Sequence, residues 1–286
     1  MRQRLILLPL ILCFLLPGCK EKEPAPAVVT WELVSSNTQA LAEGVDYTEL
    51  HFRDTAAAPH IAYVLTADPR KVTLHKGTSG NKMELIPTET QDVLEHMKAS
   101  VSDGLNVVAA VNGDFFNISS TYMPVGFSVK NGTVLRENTA YRPFSAYTRD
   151  GRYIFCDGKT DKVDCSTLSM ATGGSHILVR DGALYDVYQQ TSLSTVSHPR
   201  TLSGVREDGT MLFVVIDGRQ EALSNGATLL QCGQLMLGLG AVDAINHDGG
   251  GSSTMILRSG DTYTVANSPS DGNLRKVYCS IQLVLK

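Results

Sequence analysis

The chain has 286 residues, 43% of them apolar, and 25 Lys and Arg stand against 29 Asp and Glu for a net charge of −4. A chain of that length buries a sizeable core, and its apolar share excludes a disordered polymer. The acidic balance, without any basic tract or basic helix, excludes nucleic acid as a partner.

Arg2 and Arg4 open the chain, the apolar run Leu5 to Leu16 follows, and Pro17-Gly18-Cys19 closes the segment. This is the plan of a secretory signal, and the run is too short to stay in a bilayer as a spanning helix. Its end resembles a bacterial lipobox. That implies a signal over residues 1–18, lipidation at Cys19 and an exported protein anchored to the cell-envelope membrane; a plain cut near Gly18 is the other reading. Residues 19–27, rich in Lys, Glu and Pro, read as a solvated tether. Without Arg2 and Arg4 the mature chain keeps 23 basic residues against 29 acidic ones, a charge of −6.

Residues 28–286 read as one domain. The stretch 28–85 holds short alternating strands with little turn chemistry and is expected as a strand-rich layer on the main body. Thr88-x-x-Gln91 has the form of a capping box, and Val93, Leu94, Met97 and Val101 recur at helical spacing, which predicts a helix over 89–103. Strands are predicted at 106–111, 241–246 and 277–285. Hairpins are predicted through Asn131-Gly132, Asp150-Gly151, Asp181-Gly182, Asp208-Gly209 and Ser259-Gly260-Asp261. A second capping box, Thr228-x-x-Gln231, opens a helix whose apolar stripe is Leu229, Cys232, Leu235, Met236 and Leu239. Many hairpins and two main helices predict an α+β fold with mixed or antiparallel sheets. Cys156 and Cys165 flank a turn-rich stretch, so an exported chain permits a local disulfide there, whereas Cys232 and Cys279 read as core. No cysteine spacing matches a zinc site.

Five polar runs lie at the ends of apolar strands, where sheets place functional side chains. They are Asn112 to Phe116, Gly173 to His176, His198 to Thr201, Asp217 to Arg219, and Asn246 to Ser253. In the last, Gly249, Gly250 and Gly251 are costly in backbone entropy; such a run lets amides approach an anion, and Ser252 and Ser253 add donors. The bland alternative is a flexible turn. Arg200 and Arg219 present planar forks suited to phosphate, or else serve structural ion pairs. Asp114, Asp217 and Asp248 are candidate carboxyls for glycoside cleavage. Asp114 and Asp248, with Asn112 and Asn246, are equally candidates to hold a hard cation such as Ca²⁺, although no cofactor is required. His198 and His247 are candidate acids or bases. Neither Ser252 nor Ser253 lies in a Gly-x-Ser-x-Gly elbow, which removes the serine-hydrolase reading.

Taken together and in order, these runs resemble the phosphodiester glycosidase family. The matching segments are Asn112-Gly113-x-Phe115-Phe116, Gly174 to Gly182, His198-Pro199-Arg200-Thr201, Val215 to Arg219, Leu239 to Ser253, and the Asn267-Ser268-Pro269 and Arg275-x-Val277 region. The likeness covers roughly Asn106 to Val284. Asp114, His247 and the pair Ser175-His176 depart from the family pattern, where glycine, leucine and a Gly-Pro-type pair are common. The resemblance implies hydrolysis of a sugar-1-phosphodiester at the glycosidic bond, with a phosphorylated glycan as the ligand. Arg200, Arg219 and the Gly249 to Gly251 amides are then expected at the phosphate. Asp248 is expected as acid/base or sugar ligand, and Asp217 as orienter of Arg219 or second carboxyl. Asn112 and Asp114 are expected at the sugar or a cation, and Gly174, His176, His198, Thr201, Asn246 and His247 at the substrate. Two other readings stay open: a non-catalytic glycan-binding lipoprotein, and a glycosidase for unphosphorylated polysaccharide.

Overall fold

A computed structural model describes residues 31–187 and 191–286, so the expected signal, Cys19 and the tether lie outside the described residues. Strands Val107–Asn112 and Met211–Ile216 are buried along their whole length and therefore need cover on both faces. Each is an inner strand of its own sheet. The largest sheet has eight strands in the order Trp31–Ala42, Val45–Asp54, Pro59–Ala67, Met211–Ile216, Arg200–Arg206, Ala241–Asn246, His176–Arg180 and Ala183–Leu184. A five-stranded sheet runs Thr262–Val265, Met255–Ser259, Val107–Asn112, Cys279–Leu285 and Val72–Thr78. A second one runs Thr133–Arg136, Ser128–Lys130, Leu168–Gly173, Phe144–Thr148 and Tyr153–Cys156. The pairing within these sheets is antiparallel, as between Met211–Ile216 and Pro59–Ala67.

The strand period of two sorts the core into layers. Met211, Phe213 and Val215 face Leu74, Val111, Met255 and Ile281 across the gap between the large sheet and the first five-stranded sheet. Leu212, Val214 and Ile216 point the other way, onto Leu229, Cys232, Leu235 and Met236 of the helix Leu229–Gly238. Val93 and Met97 of the helix Val93–Ser102 cover Val107, Ala110, Ile256 and Val284 on the outer face of the five-stranded sheet. The order is helix, sheet, sheet, helix. The remaining sheet closes one side, with Tyr147, Tyr153, Phe155 and Met170 in the central core and a cluster of its own around Phe127, Phe144 and Leu168.

The α+β class and the hairpin turns hold. The residues described in the 28–85 stretch are strand-rich and divide between two sheets: three strands extend the large sheet and Val72–Thr78 joins another. The helix predicted to open at the Thr228-x-x-Gln231 box starts as expected, with Thr228 accepting from Gln231 N. The other starts later than predicted, at Val93, because Asp92 and Glu95 make the capping box. Gln91 accepts instead from Gly80 N at 2.7 Å and Thr88 N donates to Glu84 at 2.9 Å. A single-turn helix, Ser192–Thr195, was not predicted. Cys156, Cys165, Cys232 and Cys279 are free thiols.

Candidate active site

The polar runs converge where the ends of the large sheet meet the first five-stranded sheet. Asn112 is the clasp. Its Nδ2 donates to Asp248 O at 2.7 Å, and its Oδ1 accepts from Thr201 Oγ1 at 2.6 Å and Thr254 N at 3.1 Å. Both ends of its amide are thus committed to backbone or buried partners, which removes its oxygen from sugar or cation binding and makes Asn112 and Thr201 positioning residues for Asp248.

Asp217 and His247 are also turned inward. Asp217 accepts from Tyr63 Oη at 3.0 Å, Asn267 Nδ2 at 2.9 Å and Ser268 N at 2.8 Å. Burial still raises its pKa above the ordinary carboxylate value. Its role here is to join the Asp217-Gly218-Arg219 turn to the Asn267-Ser268-Pro269 loop. His247 is fully buried, with Nδ1 3.0 Å from Gly173 O and Nε2 2.7 Å from Ser203 Oγ. A carbonyl only accepts, so Nδ1 carries the proton and Nε2 accepts from the serine. Burial lowers its pKa to about 4, which leaves a neutral, structural imidazole.

The residues that reach a common space line a cavity of 210 Å³: Phe115, Leu193, His198, Pro199, Arg200, Arg219, Asn246, Asp248, Gly249, Gly250 and Arg275. Its ionisable lining is three guanidinium groups, one imidazole and one carboxyl. Arg200 is buried and braced, with Nε on Ala227 O at 2.8 Å and Nη2 on Leu193 O at 2.7 Å and Val196 O at 3.0 Å. Those bonds tie the Ser192–Thr195 turn to the sheet and leave Arg200 less to offer a ligand than its position in sequence implies. Arg219 is exposed and pairs with no carboxylate among the described residues; its Nη2 lies 3.2 Å from His198 Nδ1. Arginine only donates, so that histidine nitrogen accepts. Burial, then the charges of Arg200 and Arg219, lower the pKa of His198 and keep it neutral. The backbone of Arg219 is left-handed, φ 61°, a strain of order 1–3 kcal/mol that buys the placement of its side chain at the cavity mouth.

Asp248 is the cavity's single carboxyl. Burial pushes its pKa up to about 7, against the Ser252 hydroxyl, the Gly249 amide and the Arg275 charge, which lower it; nearby Asp114 adds to the rise. Asp114 itself is 1% exposed and sits behind the wall, shifted to about 6 by burial. Its Oδ2 accepts from Gly126 N at 2.9 Å, whereas its Oδ1 has no partner. Asn246 donates to Ser175 Oγ at 2.8 Å and keeps an unpartnered Oδ1. No group of three or more His, Cys, Asp or Glu that could hold a metal ion occurs among the described residues.

The glycine run works differently from an open anion nest. Gly249 N donates to Asp248 Oδ1 and Gly250 N to Pro199 O, both at 2.9 Å, so two of the three amides are already used. What the run provides is room. A Cβ on Gly251 would fall 2.2 Å from both Arg275 Nη2 and Asp271 Oδ2, and one on Gly250 3.1 Å from Arg219 Nη2. Arg275, held by Asp271 at 2.6 Å and reaching Ser252 Oγ at 3.5 Å, lies over a surface that only glycine leaves flat. Sequence reasoning gave Arg275 no role in the site; its presence in the family-like segment was the available signal. Ser252 and Ser253 are both buried, Ser252 beside Asp248. His176 lines the next cleft along, and Gly174 O accepts from Nε of another of its lining residues, Arg142, at 3.3 Å.

The cavity is rich in guanidinium groups and holds one carboxyl whose pKa burial raises, and groups perturbed in this way cluster at functional sites. The particular family follows from the sequence: a model described as phosphodiester glycosidase matches residues 105–283, and the chain belongs to that family. Mouse N-acetylglucosamine-1-phosphodiester alpha-N-acetylglucosaminidase is 27% identical over 241 residues, 77% of this chain and 43% of its own length. The SPbeta prophage-derived uncharacterized protein YomE of Bacillus subtilis is 28% identical over 186 residues, 59% of this chain and 27% of its own. The chain therefore spans less than half the length of either curated relative. The zebrafish N-acetylglucosamine-1-phosphodiester alpha-N-acetylglucosaminidase catalytic domain, auto-inhibited by its pro-peptide, shares the fold with a TM-score of 0.66 at 18% identity, over 87% of this chain and 88% of that one. A hypothetical protein from Synechocystis does so at 0.65 and 12% identity, over 88% and 64%.

Proposed function

We propose that this protein hydrolyses the glycosidic bond of a sugar-1-phosphodiester in a glycan of the cell envelope or its surroundings, held at the membrane by a lipid on Cys19. The observation that carries this reading is the cavity lining: Arg200, Arg219 and Arg275 with neutral His198 facing one carboxyl, Asp248. The excess of guanidinium suits a phosphodiester better than a neutral sugar linkage. The activity named for the mouse relative is of this kind and supports it.

In this mechanism Arg219 and Arg275 bind the non-bridging phosphate oxygens and take up the charge that grows as the bond from C1 to the phosphate oxygen breaks. Phosphate leaves without needing a strong acid. Asp248, as carboxylate, removes a proton from the water whose oxygen bonds to C1. The products are the free sugar and a phosphomonoester, with the water's proton on Asp248. Asn112 and Thr201 hold the Asp248 backbone in place, and Asp217 fixes the turn that presents Arg219.

The test is release of reducing sugar from N-acetylglucosamine 1-phosphate diesters by the wild type and by Asp248→Asn. Release by the wild type, reduced at least 100-fold in the variant, is expected. Binding of the glycan without release, or equal rates in both proteins, contradicts the proposal.

A further inference from the structure

Next to the small cavity lies a larger cleft of 510 Å³. The two share Leu193 and a partition made of bonded pairs. Asn246, on the cavity side, donates to Ser175 Oγ on the cleft side at 2.8 Å. Phe115, on the cavity side, lies beneath the guanidinium of Arg142 on the cleft side, 5.3 Å from ring centre to charge. A ligand that fills the cavity therefore meets the cleft as soon as it extends past this wall.

Two large aromatic side chains stand exposed in the cleft. Tyr141 is 64% exposed and Tyr185 48%. Tyr141 has a left-handed backbone, φ 49°, an uncommon and costly conformation for an aromatic residue. Tyr185 is steadied by Arg180, 5.4 Å from its ring and itself paired with Asp161 at 2.9 Å. Beyond Tyr141 a hollow of 350 Å³ continues the path over Phe127 and Phe144. Lys159 stands exposed at the rim, and the wall also carries Asp157, whose carboxylate is occupied by the amides of Lys159 and Thr160, both at 2.8 Å. A flat apolar ring with a polar tip, repeated along a polar trough, matches a pyranose, which offers a face of C–H bonds and a rim of hydroxyls.

We propose that this cleft is the subsite for the alcohol side of the phosphodiester and that it takes an oligosaccharide. Tyr185 and Tyr141 stack on successive sugars, and Arg142 and Lys159 donate to their hydroxyls. This rests on the reading of the cavity as the glycosyl phosphate site, and it narrows the substrate to a phosphodiester carried on a glycan chain of two or more sugars.

Four N-acetylglucosamine 1-phosphate diesters test it: the methyl ester, and esters to mannotriose, chitotriose and maltotriose. The wild type should show at least tenfold higher kcat/KM for one trisaccharide ester than for the methyl ester. Tyr141→Ala and Tyr185→Ala should each remove most of that advantage and leave the methyl ester within twofold. Equal rates on all four esters, or parallel losses on the methyl and trisaccharide esters, overturn the subsite. If no ester is cleaved, the reading of the cavity falls, and the cleft is judged alone by calorimetric titration of the full chain with the three trisaccharide 6-phosphates. Binding to one that is weakened at least tenfold by Tyr141→Ala together with Tyr185→Ala keeps the cleft as a glycan site; no binding overturns it.

Discussion

Asp248 owes its proton affinity to opposed influences: burial and Asp114 raise it, while Ser252, the Gly249 amide and Arg275 lower it, with a balance near 7. As a general base it works only when deprotonated, so kcat/KM should rise with pH through a limb near 7 and level off above it. Arg275→Ala removes a charge that favours the carboxylate and should move the limb upward; a pH profile in which it stays put or moves down contradicts the assignment. Asp114 gives a stability test. Its folded pKa, about 6, lies above the usual 3.8, so its favourable contribution is complete below about pH 4 and is lost as pH rises through 6. Asp114→Asn lacks this dependence. From pH 4 to pH 8 the stability of the variant relative to wild type should shift in its favour by about 2 kcal/mol, read from urea unfolding. A difference independent of pH would show that the Asp114 carboxyl is not perturbed. At this scale the sequence was a partial guide. Arg219, Asp248 and His198 reach the cavity from their runs, but His247, next to Asp248, turns to the core because Ser203 and Gly173 await it from strands far away in the chain.

Among the elements, the run Gly249 to Gly251 is the most informative. Its meaning lies in a partner, the Arg275 and Asp271 pair, that sequence alone does not place above it. Gly251→Ala has to displace that pair, since the added carbon would fall 2.2 Å from both. Activity should fall by roughly tenfold or more through lost positioning, with the thermal midpoint little changed; retained activity would remove Arg275 from the site. Helix Leu229–Gly238 was legible because its cap and stripe agree, whereas helix Val93–Ser102 is capped by Asp92 and Glu95 in place of the expected Thr88-x-x-Gln91 box. Two buried lysines join sheets in a way no motif announces. Lys76 Nζ, on Val72–Thr78, donates to Ala171 O at 2.7 Å and Thr172 Oγ1 at 3.2 Å in the neighbouring sheet, and Lys130 Nζ returns the link to Lys76 O at 2.5 Å. Burial lowers the pKa of Lys130 to about 7. Lys76→Ala removes the donor to the buried Ala171 carbonyl and Thr172 hydroxyl and should cost about 2 kcal/mol in urea unfolding; an unchanged midpoint would contradict the link.

For the whole molecule, local signals named most strands and their turns, but not which strands become neighbours. Pro59–Ala67 pairs with Met211–Ile216, and Val72–Thr78 with Cys279–Leu285 at the end of the chain. Such pairings depend on which apolar faces meet across the molecule, and period-two patterns fit many partners equally well. The same nonlocal assembly makes the site: Asn112 from one sheet clasps Thr201 and Asp248 from the other, and the guanidinium groups close over the junction. The central claim is that this junction serves the phosphate of a glycosyl phosphodiester. Arg219→Ala tests it most directly, assayed on N-acetylglucosamine 1-phosphate methyl diester and on an unphosphorylated aryl N-acetylglucosaminide. A loss of roughly 100-fold in kcat/KM on the diester is expected, from an interaction worth about 3 kcal/mol in the transition state, with wild-type rates, however low, on the aryl glycoside. Unchanged turnover of the diester, or an equal loss on both substrates, would contradict it.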